Sequence, residues 1–285
     1  MTKKLIIAGA ALALISSCTM KNPLLMESAA PFGAPEFDKI KNEHYLPAFE
    51  AAIAEAKAEI DAIVANPDEP TFENTIEAME YSGEALNNVA SIFYNLMEAN
   101  TNDELQQIAE AISPMMTEYS MYVSLNPALF ERVKAVYEKK DELGLAKDQM
   151  TLLEDSYKGF VRGGANLSDE DKELYSKWSE ELSLTTLQFS KNVLAATNAY
   201  VLNITDEADL AGLPEFVKTM AAETAAEKGL EGWAFTLDAP SYSPFLKYSE
   251  NRELRRQIWT AYNTRAIGGE FDNTEIVKKI VDLRI

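Results

Sequence analysis

Residues 168–199 contain neither proline nor glycine, and Leu174, Trp178, Leu182, Thr185, Phe189, Val193 and Ala196 recur along them three or four positions apart. That period puts the apolar side chains on one stripe of an α-helix, and Ser168 followed by Asp171 supplies a hydrogen-bonding cap at its start. A helix of this length suits a scaffold that spans a domain, so the rest of the chain has to fold around it.

The text before it is helical too. Leu46, Phe49, Ile53, Ala56, Ile60 and Ile63 mark a helix over 43–65, stopped by Asn66-Pro67 because a residue before proline is pushed out of the α region. Asn74 with Glu77 resembles a capping box and leads into Ile76, Met79, Leu86, Val89, Phe93 and Leu96 as a second helix. Thr101 with Glu104 opens a third, carrying Leu105, Ile108, Ile112, Met115, Tyr119 and Tyr122, with a kink expected at Pro114. Asn126-Pro127 caps a fourth, which Gly144 ends, and a fifth covers 148–160 before Gly163-Gly164.

After the long helix, 200–204 and 233–237 alternate apolar and polar side chains with β-branched or aromatic members, which predicts two short strands around a helix at 214–228. Helices at 243–248 and 251–266, a Gly268-Gly269 break and a helix from about Asn273 complete the chain. That last pattern is still running at Ile285, which reads as a truncated chain. No repeat of fixed period occurs. The fold class expected is mainly α, with one hairpin-like pair of strands.

The first residues carry a different message. Lys3 and Lys4 precede an apolar run from Leu5 to Ile15, followed by Ser16, Ser17 and Cys18. A charged start, a short apolar run and small residues at a cleavage zone make a signal peptide over 1–17; the run is far shorter than the ~20 residues a spanning helix needs. Ile15-Ser16-Ser17-Cys18 resembles a bacterial lipobox, so Cys18, the only cysteine, is expected to carry a lipid and to hold the protein on a membrane of the bacterial envelope, periplasm-facing or at the outer membrane. Residues 18–40, with Pro23, Pro31 and Pro35, read as a tether and extended lead-in, and 41–285 as the helical region.

Charge and chemistry exclude more than they assign. Lys and Arg total 26 against 46 Asp and Glu, a net charge of -20 that repels phosphate backbones, so nucleic acid is not an expected partner. A catalytic zinc site needs three protein ligands, usually with two histidines one helical turn apart. The chain has one histidine, His44, which reads as a hydrogen-bonded residue at a helix start. Catalytic and metal-binding residues are therefore expected to be absent, and no residue stands out as substrate-binding. The same scarcity removes a Cys-His pair, and no serine sits in a Gly-x-Ser-x-Gly turn. Gly163-Gly164 and Gly268-Gly269 lack the strand and spacing of a phosphate loop and read as helix stops. Glu180 with Glu181 and Asp169 with Asp171 are the chance pairs of an acidic chain, while Phe93, Tyr119 and Tyr122 read as core.

Several phrases, in order, nevertheless look familiar: His44-Tyr45-Leu46-Pro47-Ala48-Phe49-Glu50, Pro70-Thr71-Phe72-Glu73-Asn74-Thr75, Phe160-Val161-Arg162-Gly163-Gly164-Ala165, Asn251-Arg252-Glu253-Leu254-Arg255, Phe271-Asp272-Asn273 and Ile280-Val281-Asp282-Leu283-Arg284. Together they resemble the front half of the thimet oligopeptidase family of zinc metallopeptidases, in its bacterial peptidyl-dipeptidase and oligopeptidase A branch. The resemblance implies a neurolysin-like helical fold with a deep channel for short unstructured peptides, a monomer, and this segment as one channel wall. It implies zinc in the complete protein and none in this segment, because the family's His-Glu-x-x-His motif lies beyond the point matching Ile285. The competing expectation is a non-catalytic, lipid-anchored helical protein that binds a peptide or partner in a groove.

Overall fold

A computed structural model of the chain describes residues 22–285, so the signal segment and Cys18 lie outside the described residues. Eleven α-helices and two strands follow in order among those residues. They are α1 (Tyr45–Val64), α2 (Ala78–Glu80), α3 (Glu84–Ala99), α4 (Asp103–Ser124), α5 (Pro127–Glu138), α6 (Lys147–Arg162) and α7 (Asp169–Ala199). Then come β1 (Leu202–Ile204), α8 (Glu215–Glu227), β2 (Trp233–Phe235), α9 (Ala239–Tyr248), α10 (Arg252–Asn263) and α11 (Thr274–Asp282). The mainly α expectation holds, and so does the strand pair. β1 and β2 run antiparallel, with Leu202 opposite Phe235 and Ile204 opposite Trp233.

Three clusters of buried side chains hold these elements. In the first, Tyr45, Phe49, Ala52 and Ile53 of α1 meet Leu86, Val89 and Phe93 of α3 and Leu105, Ala109 and Ile112 of α4. In the second, the far end of α1 (Ile60 and Ile63) packs with Leu129, Val133 and Val136 of α5 and Leu153 and Phe160 of α6. The third gathers both strands with Leu210, Val217, Phe245 and Ile258. It closes only because two glycines lack a Cβ. One added at Gly232 (φ +84) would lie 2.2 Å from the Ile204 carbonyl oxygen, and one at Gly212 (φ +84) 2.3 Å from that of Tyr248.

Several boundaries differ from the sequence expectation. The second helix starts from Thr71, not Asn74: Thr71 Oγ1 accepts from the Asn74 N–H at 3.1 Å while Asn74 Oδ1 accepts from the Thr71 N–H at 2.9 Å. A wide π turn over Phe72–Glu77 follows, and the pattern then breaks at Gly83 (φ +74), so one expected helix becomes α2 and α3. The cap of α4 is Asn102, whose side chain accepts from the Leu105 N–H at 2.9 Å, in place of Thr101. α11 ends at Asp282 and does not continue through Ile285. The lead-in docks on the helices: Leu24 is buried in the first cluster, and Asn22 Nδ2 donates to the His44 carbonyl at 2.7 Å.

Candidate functional site

α7 positions the surface of greatest interest. It lies along α4, where the Ser113 and Ser183 hydroxyls are 2.5 Å apart and Lys191 pairs with Glu110 at 2.8 Å. α11 lies on another side of it. Asn273, buried at the start of α11, donates through Nδ2 to the Phe189 carbonyl at 3.0 Å and accepts from Asn192 Nδ2 at 2.9 Å. Lys279 pairs with Glu181 at 2.7 Å and holds that carboxyl below the usual carboxylate range.

Despite these neighbours, Thr185 is the sole buried residue among the 31 of α7, and Leu174, Trp178 and Leu184 are exposed. α11 has no buried residue: Ile276, Ile280 and Leu283 are half-buried, while Val277 and Val281 face outward. A groove of about 770 Å³ lies between the lead-in and α3. Another, of about 620 Å³, runs between Trp178 and Glu181 of α7 and Lys278, Lys279 and Leu283 at the end of the chain. A third, of about 280 Å³, separates α4 from α7 and is lined by Ser113, Thr117, Ser120, Ser179, Ser183 and Tyr94. The third offers neutral hydroxyls that can donate to or accept from a peptide backbone, whereas the second sets the charged Glu181, Lys278 and Lys279 beside Trp178 and Leu283.

Of the residues weighed from sequence for chemistry, His44, Asp171, Glu181, Phe93, Tyr119 and Tyr122 have structural partners or core positions, while Asp169 and Glu180 are exposed. His44 Nδ1 accepts from the Lys41 N–H at 3.0 Å, the hydrogen-bonded helix-start residue expected. Glu181 is paired as above, and Asp171 accepts from the Ser168 hydroxyl at 2.7 Å. Phe93 is fully buried, Tyr119 packs against the same core, and Tyr122 packs against the second core while donating its hydroxyl to the Asp61 carboxylate, a hydrogen bond that pushes the phenol up. Cys18 lies outside the described residues. Sequence inspection missed Arg132, Asn273 and the Lys279–Glu181 pair; the available signal was an arginine next to Val133 on an apolar helix face and a short polar turn before α11.

Residues 49–172 match the model of the neurolysin/thimet oligopeptidase N-terminal domain. The chain is 39% identical over 268 residues to the dipeptidyl carboxypeptidase of Escherichia coli, covering 93% of this chain and 39% of that protein. The chain belongs to the thimet oligopeptidase family. Oligopeptidase A of Haemophilus influenzae is 34% identical over 272 residues, covering 94% of this chain and 39% of that protein. Organellar oligopeptidase A of Arabidopsis thaliana is 31% identical over 271, with 93% and 34% covered. The chain thus spans 39% or less of the length of these relatives.

Membership of this family raises the question of whether the described residues could hold a metal. They do not fit one: among the described residues no three side chains from His, Cys, Asp and Glu converge, and the one histidine spends Nδ1 on the Lys41 amide. What the described residues offer is shape, an open face built on α7 and α11.

Proposed function

We propose that this chain forms one wall of the substrate channel of a zinc-dependent peptidase that hydrolyses short, unstructured peptides, the metal ligands coming from outside these 285 residues. The observation that carries this is the 39% identity to a dipeptidyl carboxypeptidase across 93% of the chain. The open apolar faces of α7 and α11 support it, since exposed apolar surface of that kind marks an interaction site. By itself the chain is inactive on this reading, because among the described residues no side chains converge to hold the metal that would activate water. By the names of its relatives, the longer protein would release dipeptides from peptide C-termini or cleave oligopeptides internally. The lipobox at 15–18 supports attachment to a bacterial envelope membrane through a lipid on Cys18. The non-catalytic alternative is not favoured, as these relatives are peptidases.

The deciding experiment isolates the native protein from its source cells with an antibody to this segment, measures its intact mass and assays it on a short peptide. A mass about 2.4 times 31.7 kDa, as relatives of which the chain covers 39% imply, with hydrolysis that a chelator abolishes and zinc restores, is the expected result. Chelator-insensitive hydrolysis, or a native mass equal to that of 18–285 with no hydrolysis, would overturn it.

A further inference from the structure

The lead-in exposes four large apolar side chains within thirteen residues: Leu25, Met26, Phe32 and Phe37, with Phe32 wholly open to solvent. They do not hang from a loose strand. Asn22 is tied to the His44 carbonyl and Leu24 is buried against α1 and α3. The Ser28 hydroxyl closes the 28–34 loop, donating to the Ala34 carbonyl at 2.6 Å and accepting from the Ala30 N–H at 3.1 Å. At the tip, Phe32 (φ 61) and Gly33 (φ 67) are both left-handed, a conformation unfavourable for a bulky side chain. Nothing else in residues 22–285 covers the ring that this turn holds outward.

The surroundings fit one partner. Glu27, Glu36 and Asp38 face Lys39 and Lys41, so the segment is close to neutral in a chain of net charge -20, and Glu36 is already paired with Lys39 at 2.5 Å. A lipid on Cys18 would lie four residues before Asn22, a span of at most about 14 Å. A bilayer would therefore be within reach of the patch, and aromatic and apolar side chains with little net charge partition into its interfacial layer. We propose that Leu25, Met26, Phe32 and Phe37 seat in the interface of the bilayer holding the Cys18 anchor and so fix how the protein stands on the membrane. This rests on the lipoprotein reading.

The test reconstitutes the acylated full chain, its mass checked at Cys18, in phosphatidylcholine vesicles with brominated acyl chains, which quench a tryptophan that enters the lipid. A Phe32→Trp variant should add a blue-shifted signal, quenched about twofold more than that of a Phe216→Trp control, Phe216 being an exposed side chain of α8. Equal quenching of the two variants on an acylated chain overturns the docking and leaves the anchor standing. A blue shift without quenching also overturns it, showing that protein covers the ring. Absence of acyl chains on Cys18 overturns the anchor, and the docking with it.

Discussion

Arg132 carries its charge into the interior with 9% of its surface exposed and meets no carboxylate there. Its guanidinium donates to the Asn66 carbonyl at 2.9 Å, the Asp68 carbonyl at 3.3 Å and Asn74 Oδ1 at 3.1 Å, tying the loop after α1 to the turn that starts the next helix. Arg132→Met would keep the stem and remove three charge-assisted hydrogen bonds at a part-buried site, so we expect a loss on the order of 2 kcal/mol, read as a lower urea midpoint. Lysine at the same place should recover only part, since one ammonium cannot reproduce the planar fork. A second expectation concerns alkaline pH. Burial pushes the phenols of Tyr45, Tyr119 and Tyr200 above the usual tyrosine value. The folded state therefore holds protons that the unfolded chain releases near pH 10; stability is complete below about that pH and falls as pH rises through the folded values. Absorbance titration should show these phenols ionising late and together with unfolding, and a normal, independent titration of all tyrosines would refute this.

At the scale of elements, Asn273 decides whether α11 stays on α7. It joins the Phe189 carbonyl, the Asn192 amide and, through its own N–H, the Ala266 carbonyl at 2.9 Å. Asn273→Ala removes both side-chain bonds at a buried site, and a cost on the order of 2 kcal/mol is expected, concentrated in α11. Hydrogen exchange should quicken in 274–282 and leave α1 protected; unchanged exchange there would show that the apolar contacts of Ile276, Ile280 and Leu283 suffice. The role of Asn273 was not legible in the sequence, because both partners lie more than eighty residues away. Local signals fared better. Asn126-Pro127, Ser168 and Asn251 cap their helices through their own side chains, as short-range patterns can announce. The break at Gly83 escaped notice for the opposite reason: its N–H is taken by the Glu59 carboxylate at 2.6 Å, a contact from α1 that no window on the second helix contains. The open face of α7 was hidden as well, since a periodic stripe says which side is apolar and not whether anything covers it.

Across the whole molecule, the first two cores share α1, which runs from Tyr45 in one to Ile63 in the other. The third core shares no element with them. β1, β2, α8, α9 and α10 pack chiefly among themselves, and they join the rest where α7 ends at Ala199 and where the 264–273 turn leads into α11. Such an arrangement gives residues 202–262 the make-up of a separate cooperative unit, one able to open at a lower free energy than the α1-centred body. Phe245 is the place to probe this, being fully buried with its ring 4.5 Å from that of Phe235. Phe245→Ala should cost about 3–5 kcal/mol, enough to consume much of the stability of a unit this small. Hydrogen exchange followed by mass spectrometry separates the possibilities. Loss of protection confined to 202–262, with the amides of α1, α3 and α5 exchanging as before, is the expected outcome and would place a boundary at the end of α7. Equal acceleration in all three cores would instead mean that α7 couples them into one unit, so that a change at the strand pair would reach the α1-centred body.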